Sequence, residues 1–250
     1  MKSKQIVQKF NENFDLRLVK GSPCLIVGDF LVISDIHLGF EENLSKKGIF
    51  VPDRTNDLIK KLSQMRVKTK RKNLLVLGDL KDSYNRINKN EWRNVPIFLR
   101  YCSNNFEKVI ITKGNHDSML ERLNVFKNVV IVKELVFEFK DKKIGFIHGH
   151  SWPSKKLIKE CEIIVIGHSH PSYVFKNHLG QINTMSAWFI GGVNKSFLTK
   201  AMKLNEFKLN KLIVLPCFND FFSGSDEKLG PLMKAMKDVK KVLLDFEIID

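Results

Sequence analysis

Residues 163 to 170 read Ile163-Ile-Val-Ile-Gly-His-Ser-His170. An unbroken β-branched run closed by glycine predicts a short strand buried on both faces, with two imidazoles just past its end. The same arrangement recurs along the chain. Phe30–Ile33 leads into Asp35-Ile-His37, and Leu74–Leu77 into Gly78-Asp-Leu-Lys-Asp82. Val109–Thr112 leads into Gly114-Asn-His-Asp117, and Ile144–Ile147 into His148-Gly-His150. Six of the seven histidines lie in these segments. In α/β sheets, ligand sites form at the carboxyl ends of strands. A lone DxH or HxH would be a capped turn, and GNHD alone an Asx-turn. Repeated at five strand ends, the pattern points to chemistry rather than to turns.

Further apolar runs at Cys24–Val27, Val129–Val132 and Leu212–Leu215 read as strands. Helical spacing appears over Asp53–Met65 (Leu58, Ile59, Leu62, Met65), with Asp53 or Thr55 as its cap. It appears again over Glu91–Tyr101, with Trp92, Val95, Phe98 and Leu99 on one face, and over a short stretch, Leu232–Val239. Strands alternate with helices early and dominate later. That order predicts an α/β domain with a mixed sheet or two packed sheets. No linker, repeat or low-complexity stretch divides the 250 residues, so one domain is expected over 1–250.

Composition narrows the class. Hydrophobic residues at 43% exclude a disordered chain, and the length excludes a small disulfide-stapled module. Cys24, Cys102, Cys161 and Cys217 form no CxxC pair, so zinc ribbons and thioredoxin chemistry lack support and reduced thiols are expected. The start, Met1-Lys-Ser-Lys-Gln-Ile-Val-Gln-Lys-Phe10, lacks a signal-peptide core, and no apolar run approaches the ~20 residues that span a membrane. A cytoplasmic protein without membrane contact is expected. The net charge of +15 favours polyanions: nucleic acid, anionic membrane or phosphorylated substrate. It also fits plain solubility. The densest basic stretch, Lys60–Lys72, reads as a solvated helix end before a nucleic-acid patch.

Residues i and i+2 of an extended segment face the same side, which would let Asp35 and His37 reach one ion, with His168 and His170 placed alike. Glycines 78, 114, 149 and 167 would let the loops turn inward. A donor set of carboxylate, imidazole and amide oxygen suits Mn²⁺, Fe²⁺, Zn²⁺ or Ni²⁺. Neither GxxxxGK[ST] nor GxSxG occurs.

In this order, Asp35-x-His37, Gly78-Asp79, Gly114-Asn-His-Asp117, His148 and Gly167-His-x-His170 resemble the calcineurin-like metallophosphoesterase superfamily. A closer likeness is to archaeal phosphoesterases related to the SbcD-type repair nucleases and to bacterial DNA-ligase-associated phosphoesterases. It rests on Asp35-Ile-His-Leu-Gly-Phe-Glu-Glu42, Gly48-Ile-Phe-Val-Pro52, Pro171 and Leu215-Pro-Cys-Phe-Asn219. The resemblance implies a four-layer α/β sandwich of two packed mixed β-sheets flanked by helices, with C-terminal strands and a short helix completing it. It implies two divalent transition-metal ions, manganese foremost, with iron, zinc or nickel as alternatives. Asp35, His37, Asp79 and His170 would hold the first ion. Asp79, Asn115, His148 and His168 would hold the second, with Asp79 bridging. His116 would be the catalytic non-ligand histidine, with Asp117 orienting it. A metal-bridging hydroxide would attack phosphorus in line with the leaving group.

Gly78-Asp-Leu-Lys-Asp-Ser83 and GNHD depart from the GDxVDRG and GNHE of the family's protein phosphatases. The 80 residues after His170 look like sheet rather than the DNA-capping domain of SbcD-type nucleases. Outside the ligand set, His150 reads as a non-ligand near the pocket, His178 as a turn residue, and Asp82 as a supporting carboxylate. Trp152, Trp188 and the cluster Phe218, Phe221 and Phe222 read as packing before base stacking. The expected activity is hydrolysis of phosphate esters, foremost phosphodiesters of nucleotides, DNA or RNA. Its alternatives are a phosphomonoesterase and a non-catalytic nucleic-acid-binding subunit of a repair or RNA-processing complex.

Overall fold

The computed structural model describes residues 5–10, 16–139, 142–222, 224, 227 and 229–249, the first six by backbone alone. Residues 1–4 of the leader reading lie outside them. In chain order the elements are β1 (Gln5–Phe10), β2 (Leu16–Leu18), β3 (Leu25–Val27), β4 (Phe30–Ile33), α1 (Phe40–Ser45), α2 (Thr55–Thr69), β5 (Asn73–Leu77), α3 (Lys89–Asn105), β6 (Lys108–Thr112) and β7 (Val129–Val132). They continue with β8 (Glu134–Phe139), β9 (Lys142–Phe146), α4 (Lys155–Glu160), β10 (Ile163–Ile166), β11 (Ser172–Lys176), β12 (Ile182–Val193), α5 (Lys195–Met202), β13 (Lys211–Val214), α6 (Pro231–Lys234), β14 (Met236–Leu243) and β15 (Ile248–Ile249).

The uninterrupted apolar character of β4, β5 and β6 has a simple cause. Each is a strand in a sheet covered on both sides, so both sets of alternating side chains are buried. Leu31, Ile33, Leu74, Val76, Val109 and Ile111 face one way, into a core with Leu58 and Leu62 of α2 and Val95, Phe98 and Leu99 of α3. Phe30, Val32, Leu75, Leu77 and Ile110 face the other way and meet Leu135, Phe137, Phe146, Val165, Trp188 and Ile213 of the second sheet. Beyond that sheet, Ile164, Ile166, Leu212 and Val214 pack under Leu157 and Ile158 of α4, Leu198 and Met202 of α5 and Leu232 and Met233 of α6. Helices, sheet, sheet and helices make the four layers expected.

Both sheets are mixed. The smaller runs β2-β3-β4-β5-β6-β7, with β4 to β7 parallel and the first two pairings antiparallel. The larger runs β1-β8-β9-β10-β13-β12-β14-β15, with β11 paired to the outer half of β12. In it β9, β10 and β13 are parallel neighbours. The sheets are stitched at one end, where Phe218 N–H donates to the Ser34 carbonyl (2.8 Å) and His148 Nδ1 meets the Leu77 carbonyl (2.8 Å). The carboxyl ends of β4, β5, β6, β9 and β10 thereby meet.

Some expectations need correction. Leu232–Val239 is not one helix: α6 is a single turn, and Met236 begins β14, which pairs with β12. Main-chain pairing to an exposed sheet edge outweighs the helical spacing of its apolar residues. Trp92 is 53% exposed, because α3 buries Glu91, Asn94, Val95, Phe98, Leu99 and Cys102 instead. Asp53 does accept the Thr55 N–H at 2.8 Å at the start of α2. In the basic stretch, Lys61, Lys68 and Arg71 donate to the carbonyls of Phe218, Lys20 and Gly28, so part of that charge braces the fold. All four cysteines are buried free thiols. No helix among the described residues is long and apolar enough to cross a membrane.

Candidate metal centre

Three of the five strand ends, those of β4, β5 and β10, deliver their side chains through left-handed turns rather than by strand alternation. Asp35, His37, Asp79, His168 and His170 all have left-handed backbones, with φ of 55, 50, 49, 68 and 42°. The i, i+2 argument for Asp35–His37 and His168–His170 therefore fails, since neither pair lies in extended chain. Left-handed non-glycine residues cost roughly 1–3 kcal/mol each and cluster where a site demands it. Two glycines are required for close approach rather than for their torsions. A Cβ on Gly114 would sit 2.1 Å from Asp79 Oδ1, and one on Gly167 2.7 Å from Asp35 Oδ2.

Two donor groups are built from the expected ligands, and a third, His37, Asp82 and His116, adjoins them. Asp35, His37 and His170 form one, and Asp79, His148 and His168 the other, with the ligand atoms of each within 4.8 Å of one another. In the first, His170 Nε2 lies 3.3 Å from Asp35 Oδ1 and 3.2 Å from His37 Nε2. In the second, His148 Nε2 lies 3.1 Å from Asp79 Oδ2 and 3.1 Å from Asn115 Oδ1. Asp79 Oδ2 also lies 3.9 Å from His37 Nε2, so this carboxylate stands between the groups. All seven candidate ligands are thus brought to one place.

Supporting contacts set the orientation. His148 Nδ1 donates to the Leu77 carbonyl at 2.8 Å, which aims Nε2 at Asp79 and Asn115. Asp82 Oδ1 lies 3.3 Å from His37 Nδ1 and its Oδ2 accepts from Asn43, which places Asp82 beside His37 and within reach of an ion that His37 and His116 could share. The backbone N–H of His116 donates to Asp79 Oδ1 at 3.0 Å, and that of His168 to Asp35 at 3.1 Å. Asp117 meets backbone rather than the His116 ring. One of its oxygens accepts from Leu80 N–H (2.9 Å) and Lys81 N–H (3.2 Å), the other from Gly114 N–H (2.9 Å). It locks the β5 and β6 turns together, while the His116 ring is held by the Asp82 carbonyl at Nδ1.

Electrostatics follow from this crowding. Burial alone would raise Asp79, but the imidazoles of His148, His37 and His116 hold its carboxyl far below the usual range. Burial would lower His148, yet Asp79 and Asp35 outweigh it and push the imidazole up to about 9. His168 is pushed down to about 4 by burial and by the charge on His148. Burial and the charge on Asp79 raise Asp117 to about 6. An imidazolium at His148 answers the acceptors around its Nε2 in the metal-free protein. A divalent cation would take that proton's place, so the donor set fits metal.

Of the remaining residues, His150 stands beside the cluster, its ring 5.4 Å from that of His148, outside both donor groups. His178 is an exposed turn residue. Trp188 is wholly buried between the sheets and Trp152 packs on the α4–α6 core. Phe218 is core, whereas Phe221 and Phe222 line a cavity at the site. Three supports were missed. Tyr84 stacks on His116 with centroids 3.7 Å apart. Lys81 and Glu91, both fully buried, hold the loop that carries Tyr84. Cys217 and Asn219 donate to the carbonyls of Asp35 and Ile36, giving Leu215-Pro-Cys-Phe-Asn219 its task of bracing the first ligand turn.

Solved structures share the fold. The chain aligns with a nuclease, MPE, from Pseudomonas putida at 16% identity and a TM-score of 0.54, covering 93% of this chain and 98% of that one. It aligns with Yfce, a phosphoesterase from E. coli, at 15% identity and a TM-score of 0.43, covering 88% and 96%. At such identity the first speaks to fold alone. No curated protein matches the chain. Residues 28–210 match the model of the calcineurin-like phosphoesterases, and the chain belongs to that family.

Proposed function

We propose that this chain hydrolyses phosphodiesters of nucleotides or nucleic acid at a two-metal centre. The observation that carries the reading is the position of Asp79 Oδ2 between two donor groups built from separate strand ends. In this reading Asp35, His37, Asp79 and His170 hold one ion, and Asp79, Asn115, His148 and His168 the other. Two divalent ions, manganese foremost, would supply Lewis acidity and a lowered pKa for water.

The chain's own residues do the rest. A carbonyl can only accept, so contact with the Asp82 carbonyl makes His116 Nδ1 the donor and leaves Nε2 to face the substrate. Burial lowers His116. An entering phosphate brings negative charge that favours a proton on Nε2, from which the leaving oxygen is protonated. Asp117 keeps Gly114 and Leu80 in register so that Asn115 and His116 emerge at the right angle. The family membership and the +15 charge support a phosphate-ester substrate, and a GNHD rather than GNHE segment speaks against a protein phosphatase.

The test is hydrolysis of bis-p-nitrophenyl phosphate by the purified chain with Mn²⁺, abolished by chelator and restored by metal. No turnover with any divalent metal would sink the proposal. The ratio of diester to monoester turnover is expected to exceed one.

Metal-free protein should also show a pH signature. His148 is raised in the fold, so the stability it contributes is full below its unfolded value near 6.5 and is lost as pH rises to about 9. Thermal melts in EDTA should therefore fall between pH 6.5 and 9. With Mn²⁺ the fall should disappear or reverse, because metal uptake displaces the same proton. Parallel curves with and without metal would argue against His148 as a ligand.

A further inference from the structure

Beside the donor groups opens a cavity of about 750 Å³, the size of a small-molecule site, which shares His116 and Asp82 with the centre. Its two walls are aromatic. On one side Tyr84 lies on the His116 ring and is still 56% exposed. On the other, Phe222 packs on His37 (4.6 Å), and Phe221 leans on Phe40 (4.6 Å) while remaining 41% exposed. Arg86 and Lys47 stand at the rim. Phe221, Arg86 and Lys47 have no part in the hydrolytic step above, and Tyr84 touches it only through His116.

Both walls are anchored from behind. The Tyr84 carbonyl accepts from the Ser118 hydroxyl, and the Arg86 carbonyl accepts from the buried Lys81 ammonium at 2.9 Å. The Phe221–Phe222 segment follows Asp220 and Phe218, both held by Lys61. Backbone held this way beneath two half-exposed rings lowers the ordering cost of presenting them to a ligand.

We propose that the slot between these rings is a base-stacking subsite, in which Tyr84 and Phe221 receive a nucleobase of a single-stranded nucleic acid whose phosphodiester lies at the metal centre. The inference rests on the phosphodiesterase reading and names its substrate class. Flat rings of either wall match a flat base, and every base has a face to stack. Arg86 and Lys47 suit the neighbouring phosphate, with Arg86 also able to stack. An acyl chain would be better served by aliphatic walls and has no use for the rim cations.

The test uses the full chain and two fluorescein-labelled single-stranded oligonucleotides, one of thymidines and one of abasic tetrahydrofuran residues. Binding is read by anisotropy in EDTA, and cleavage separately with Mn²⁺. The base-bearing strand should bind about tenfold tighter than the abasic one, and Tyr84→Ala or Phe221→Ala should bring that ratio close to one. Tyr84→Phe, which keeps the ring, should keep the ratio. Equal affinity for both strands in the wild type, a ratio that survives the double alanine variant, or its loss in Tyr84→Phe would overturn the subsite. So would stronger competition by a dioleoyl phosphodiester than by unlabelled oligonucleotide. A base preference without cleavage would defeat the phosphodiesterase reading alone. Cleavage without base preference would defeat the subsite alone.

Discussion

Asp79→Asn is expected to lower kcat/KM for bis-p-nitrophenyl phosphate by at least about 10³-fold while leaving the fold intact. Asparagine tolerates a left-handed backbone better than other non-glycine residues, so φ of 49° at this position is no obstacle. Its amide oxygen can still accept the His116 N–H that Asp79 Oδ1 accepts now. What is lost is the charged Oδ2, 3.1 Å from His148 Nε2 and 3.9 Å from His37 Nε2. An amide nitrogen there binds no cation and cannot sit between two. The variant should therefore melt below the wild type in EDTA at pH 6.5, where His148 loses its anionic partner, and should gain little from Mn²⁺. Wild-type turnover by a folded Asp79→Asn protein would remove the carboxylate from the proposed mechanism.

Glu91→Ala should be the most damaging change away from the ligands, at about 3–5 kcal/mol. The Glu91 carboxylate accepts from the N–H groups of Asp82 (3.0 Å), Ser83 (2.5 Å) and Asn88 (2.8 Å), and lies 3.9 Å from Lys81 Nζ. It also completes the capping box that starts α3. Removal leaves buried donors and an ammonium without an anion. For a chain of this size the melting temperature should fall by roughly 6–20 °C. Activity should fall with it below the melt, because the same loop carries the Asp82 carbonyl that fixes His116. Glu91→Gln, which keeps an acceptor oxygen, should fall between the two. A melt unchanged in Glu91→Ala would mean the loop is held by other contacts.

The strand ends were legible because two-sided burial leaves an unmistakable apolar run, and because a polar cluster directly after such a run has few structural uses. The assignment of residues to two ions comes from the family resemblance, and the i, i+2 spacing does not explain their convergence: Asp35 and His37 meet through left-handed turns. Torsions of that kind leave no pattern in composition. β12 stayed hidden because its outer half, Ile182–Ser186, is exposed and mostly polar, and because Gly191-Gly192 interrupts its inner half where the pairing to β14 shifts register. Asp117 looked catalytic from its place beside His116. Only the fold shows both its oxygens occupied by backbone. Nothing local in the sequence marks Glu91 and Lys81 as buried against each other. The Tyr84–Phe221 slot joins residues more than a hundred positions apart, a relation that sequence spacing does not encode.

Five left-handed residues in one site carry a consequence for how this protein can change. Glycine would relax each of those positions, and each relaxation would remove a candidate ligand. Heat resistance and turnover are therefore opposed at Asp35, His37, Asp79, His168 and His170. Selection for durability alone would erode the centre, and selection for chemistry keeps the chain less stable than its sheets would allow. The deep apolar layers on either side are what let the molecule carry that burden.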